Sequence, residues 1–63
     1  MQLLTQYITE KRWVPTNRKD ALRIVREEAG DADPAGVLEY ILEATKHGKV
    51  VTVGTCRFKQ ERS

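Results

Sequence analysis

The chain has 63 residues, a formal net charge of +2 and a pI near 8.9, with 40 % hydrophobic and 32 % charged residues. That balance is too apolar for a disordered tail, and the length leaves one domain with a thin core, because folding at this size hides only about 60 % of the unfolded surface. One cysteine, Cys56, excludes an intrachain disulfide and a thiolate zinc cluster, while the lack of an apolar run near the roughly 18 residues of a spanning helix, and of a signal-peptide layout, points to the cytoplasm and away from a membrane.

In chain order, Leu3, Leu4, Tyr7, Ile8 and the stem of Lys11 follow the i, i+3, i+4, i+7 spacing of one helical face, which predicts a first helix over 2–12. Pro15 pushes Val14 toward extended geometry, so Trp13, Val14 and Pro15 read as an extended connector or a single-bridge strand. A second helix over 17–29 has Asn17 or Thr16 as its cap, Asp20 three residues beyond Asn17, and Gly30 as a left-handed stop. Ala21, Leu22, Ile24, Val25 and Ala29 share its apolar face, and Lys19, Arg23 and Arg26 form a narrow basic stripe on the other side.

Asp33 and Pro34 open a third helix over 34–47, with a carboxylate at the cap and proline at the first position, while Asp31 and Asp33 read as loop acids. Val37, Leu38, Ile41, Leu42 and Thr45 form its buried face, and Lys46 and His47 suit the dipole at its end, where Gly48 stops it. The tail reads as a hairpin, 49–54 and 55–61, around the two-residue loop Gly54-Thr55, with glycine first as a type II′ turn requires. Val53 then opposes Cys56 and Val51 opposes Phe58 on an apolar face, and Val50, Thr52, Arg57 and Lys59 take the other.

Catalysis has little to stand on. Cys56 and His47 lack the orienting group and oxyanion site that a nucleophile and base need, so Cys56 reads as a core residue and His47 as a helix-end cation. Glu39 and Glu43 read as exposed surface, one His and one Cys fall short of a metal site, and no glycine-rich phosphate loop precedes a helix. No enzyme activity, metal or cofactor is therefore expected.

Binding is the remaining class. Arg18, Lys19, Arg23 and Arg26 on the second helix, Lys49 at the helix–strand junction, and Arg57 and Lys59 on the hairpin are the candidate contacts to nucleic-acid phosphates, which dominate such affinity. The competing reading is a solvated surface, in which Arg23 pairs with Glu27 along the helix.

The order helix, extended Trp13-Val14, helix, helix, hairpin resembles winged-helix DNA-binding domains, and Gly48 to Gly54 followed by Arg57-Phe58 is similar to their strand–wing–strand ending. That resemblance spans the chain and implies a groove-reading third helix and a backbone-touching wing. Glu39, Tyr40 and Glu43 face outward on the third helix, which shifts the expected DNA contact to the second helix and the hairpin. Residues Val37 to Phe58 also resemble the helix–strand–turn junction of the HU/IHF histone-like family, with Lys49-Val50, Gly54 and Phe58 in matching places. That likeness implies a dimeric habit; the family's DNA-embracing arms have no counterpart in these residues.

A protein-binding reading rests on other residues. Trp13, Tyr40 and Val50 fall outside the predicted core, and exposed aromatic anchors are enriched at interface hot spots. They suit a homodimer or a regulator docking on a larger protein, and the last strand offers an edge for strand addition unless Lys59, Glu61 and Arg62 protect it. The expectation is an α+β domain of three helices followed by a C-terminal β-hairpin, winged-helix-like, acting as a small DNA-binding regulator of transcription of the kind found in phages and mobile elements. The alternative is a protein-binding regulator, inhibitor or homodimer.

Overall fold

A computed structural model describes residues 2–30 and 33–61. Its elements are β1 (Gln2–Tyr7), β2 (Val14–Pro15), α1 (Arg18–Ala29), α2 (Pro34–Lys46), β3 (Val51–Val53) and β4 (Cys56–Glu61). Asp31 and Arg62 lie outside the described residues.

The expected order of three helices followed by a hairpin, and with it the winged-helix-like architecture, is overturned. The fold is α+β, but two helices accompany a four-stranded antiparallel sheet of order β2-β1-β4-β3, and strands both precede and follow the helices. Of the residues expected as the first helix, 2–12, those from Gln2 to Tyr7 form β1 and the rest lie in the connection to β2. Leu3 and Tyr7 stand four apart, a spacing that satisfies the helical period and the strand period alike. Thr5, Ile8 and Thr9 are β-branched and stiff at χ1, which weakens a helix here, and a six-residue ladder from Gln2↔Glu61 to Tyr7↔Cys56 satisfies the β1 backbone. Leu4 separates the two readings. It is buried, yet stands outside the main core cluster, because its strand turns it to the opposite face from Leu3, beside Pro15 and Lys59.

Both predicted caps at the helix starts form. The Asn17 carboxamide oxygen accepts from the Asp20 N–H at 2.8 Å and starts α1, and the Asp33 carboxylate accepts from the Gly36 N–H at 3.1 Å ahead of Pro34. Gly30, at φ +59°, closes α1 by donating its N–H to the Arg26 carbonyl.

The hairpin also follows its turn chemistry. Gly54 has φ +58° and, among the described residues, no non-glycine residue has a positive φ, the pattern of a type II′ turn, and the register pairs Val53 with Cys56 and Val51 with Phe58. Its strands are shorter than expected, 51–53 and 56–61. One placement is reversed: β4, expected at an edge, lies inside the sheet between β1 and β3, and β3 is the edge.

The helices cover one face of the sheet. Phe58 and Cys56 from β4, Leu38 and Ile41 from α2, and Val25 and Ala21 from α1 are buried in one cluster, against which Leu3, Tyr7, Val51 and Val53 pack. Among the described residues, every buried side-chain nitrogen and oxygen has a hydrogen-bond partner. The Thr5 and Thr16 hydroxyls bond to each other at 2.7 Å, and the Gln60 carboxamide donates to the Leu42 carbonyl and the Thr45 hydroxyl, both at 2.9 Å. Among the described residues, no helix is long and apolar enough to cross a membrane.

Candidate protein-binding surface

The predicted cationic residues fall in three separate places. On α1, Ala21, Ile24 and Val25 are buried, so Lys19, Arg23 and Arg26, roughly half a helical turn around, point away from the sheet. Arg18 pairs with Glu39 across to α2, and Arg23 pairs with Glu27 at 3.0 Å along its own helix. Arg57 and Lys59 alternate along β4 with Cys56 and Phe58, which face the helices, so both project from the bare side of the sheet. Lys49 lies between α2 and β3. The fold therefore sets Arg23 and Arg57 on opposite sides of the molecule, and the α1 stripe and hairpin cations do not form one surface.

The three apolar candidates divide as well. Trp13 sits on the bare face of the sheet, half-buried, with Lys59 Nζ 4.4 Å from its ring centroid. Tyr40 and Val50 stay 66 % and 56 % exposed, and a turn that residue spacing does not reveal brings Lys49, the residue before Val50, to the same cavity as Tyr40. At the end of α2, the N–H groups of His47 and Lys49 both donate to the Ala44 carbonyl and that of Gly48 to the Thr45 carbonyl. With Gly48 at φ +89°, the chain reverses and lays Lys49 back against the helix. The result is an open cavity of about 310 Å³ lined by Tyr40, Glu43, Ala44, His47 and Lys49. His47 is tied to Glu43 at 3.1 Å on this rim.

Val50 follows Lys49 directly and leads into the free edge of the sheet. Because Val53 and Cys56 flank a two-residue loop, they exchange backbone hydrogen bonds, and alternation then turns the N–H and C=O of Thr52 outward. The bond from the Ile8 N–H to the Thr55 carbonyl, 2.9 Å, agrees with this parity on the far side of β4. Cavity, exposed Val50 and unpaired edge thus form one continuous strip. Thr52 and Ala44 escaped notice as site residues; the only signal for the edge was the uncharged run from Val50 to Cys56.

The other chemistry-bearing groups are structural. Cys56 is fully buried in the core, and burial pushes its thiol above the ordinary value, which keeps it a protonated core residue. Glu28 latches the hairpin to α1: its carboxylate accepts from the Thr55 N–H at 2.6 Å and from the Thr55 hydroxyl. These bonds, the hydroxyl's first, hold the Glu28 carboxyl below the usual range. Among the described residues, no group of three or more His, Cys, Asp or Glu could hold a metal ion.

Comparison with protein-family models, with curated proteins and with solved structures returned no match. Nothing in these comparisons bears on the winged-helix or HU/IHF resemblance.

Proposed function

We propose that this protein is a non-catalytic, cytoplasmic interaction module that binds a protein partner through the strip running from Tyr40 across Val50 to the outer edge of β3. One observation carries this reading: an exposed aromatic beside an apolar-floored cavity adjoins a strand edge with unpaired backbone groups. An aromatic anchor contributes contact area at low entropic cost, and an edge strand contributes main-chain hydrogen bonds, the two components of strand addition. A photo-crosslinking phenylalanine analogue at position 40 tests it in cells, with the same analogue at position 23 as control. Protein adducts at 40 and none at 23 are expected; equal adduct yields at both positions would refute the reading.

A second reading is favoured by the bare sheet face, where Arg57 and the Lys59–Trp13 stack lie side by side with Gln6 and Thr52 opposite Arg57. Basic side chains around an aromatic suit a single nucleic-acid strand, whose phosphates and bases they contact respectively. Two phosphate contacts correspond to a log–log salt slope of about −1.4, and Arg57→Ala then removes about half of it. Retention of single-stranded DNA or RNA that ignores salt, or that survives Arg57→Ala unchanged, counts against this reading. In either case Arg18, Lys19, Arg23 and Arg26 are left as a solvated helical face.

A further inference from the structure

We infer that the protein partner is a second copy of the same chain, paired antiparallel through the free edges of β3 and centred on Thr52. The pairing rests on the protein-binding reading of the Tyr40–β3 strip and names the occupant of its edge.

The two edges of the sheet differ in what they offer. At one end β2 has two residues, and Pro15 has no N–H to donate. At the other end β3 has neither proline nor charge, and Thr52 presents both its N–H and its C=O to solvent. Among the described residues β3 is the edge strand without a proline, and pairing two copies through it uses that edge once in each, so association through it closes at two copies.

The occupant is read from the charge pattern. From Val50 to Cys56 there is no charged residue, so the edge neither repels its own copy nor selects an acidic or basic strand. In a two-fold pair centred on Thr52, that residue faces itself and exchanges two backbone hydrogen bonds. Val51 then faces Val53, and Val50 faces Gly54. Each Val51–Val53 pair lies on the helix-covered side, where both residues already pack against the core. β-Branched residues directly opposite one another are favourable cross-strand pairs. The sheet becomes eight-stranded, and the apolar surface of Val50 is removed from water, a useful gain for a chain whose own core is thin.

Sedimentation equilibrium from about 10 μM to 1 mM, a range that spans modest affinities, tests the pairing on the full chain and on Thr52→Lys. Thr52 is exposed, so the substitution leaves the core alone and sets two like charges face to face only in the pair. The expected result is a reversible dimer whose dissociation constant rises about tenfold or more in Thr52→Lys, with unchanged circular dichroism. Should that variant fail to fold, Val50→Lys, just outside the strand, takes its place with the same expected weakening. A wild-type chain that stays monomeric throughout overturns the pairing, as does a dimer that Thr52→Lys and Val50→Lys leave equally tight. A monomer that still gives protein crosslinks at position 40 defeats the pairing alone; a monomer without them defeats the protein-binding reading too.

Discussion

A Cβ at Gly54 would stand 2.8 Å from Glu28 Oε1 and 3.2 Å from the Glu28 carbonyl oxygen, and the residue's φ of +58° already lies where only glycine is at ease. Gly54→Ala is expected to lower stability by about 1–2 kcal/mol from the left-handed backbone alone, read as a lower midpoint in urea with an unchanged slope. Glu28, on the other side of that contact, has a folded-state carboxyl held below 4.5 by the Thr55 hydroxyl and amide. A depressed carboxyl stabilises the fold at pH above its ordinary value, and that contribution disappears as the pH falls from 4.5 through the lowered folded value. Glu28→Gln should therefore flatten this part of the acid limb in a series of thermal melts below pH 5, while a limb of the same steepness would show that the latch carries no linkage. Neither residue was singled out by spacing for this contact, because a glycine needed for its turn looks the same in sequence as one also needed for a close approach.

At the scale of elements, what could be read from sequence was what is encoded locally. The helix starts were legible because Asn17 and Asp33 are capping residues whose partners lie three positions along, and the hairpin register was legible because Gly54 determines the turn. Asn17→Ala is accordingly expected to cost about 1 kcal/mol, measured by chemical denaturation, through loss of the bond to the Asp20 N–H. The first strand was not legible. Leu3 and Tyr7 serve either period, and the deciding interaction is a ladder to residues 49 to 59 positions away, which no local window contains. The same non-local order hid the binding strip: β1 pairs with β4, so β3 and not the last strand becomes the edge, and the reversal at Gly48 brings Tyr40 beside Lys49.

For the molecule as a whole, the decisive fact is how the charges are distributed. The α1 cations and the hairpin cations were each legible as exposed, but whether they met depended on which face of the sheet the helices cover. They cover the Cys56 and Phe58 face, so the two sets diverge, and the β3 edge itself carries no charge. A fold stabilised by pairing along that edge has a melting temperature that rises with protein concentration, since mass action favours the associated state; calorimetry at two concentrations about tenfold apart should show the rise. Amide hydrogen exchange at Thr52 tests the central claim most directly, because this N–H has no bond within the chain and gains one only when the edge is engaged. Exchange at Thr52 that slows markedly as the protein is concentrated, while the solvent-facing side of α1 is unaffected, is the expected result. Exchange as fast as that of an unstructured amide at every concentration would contradict it.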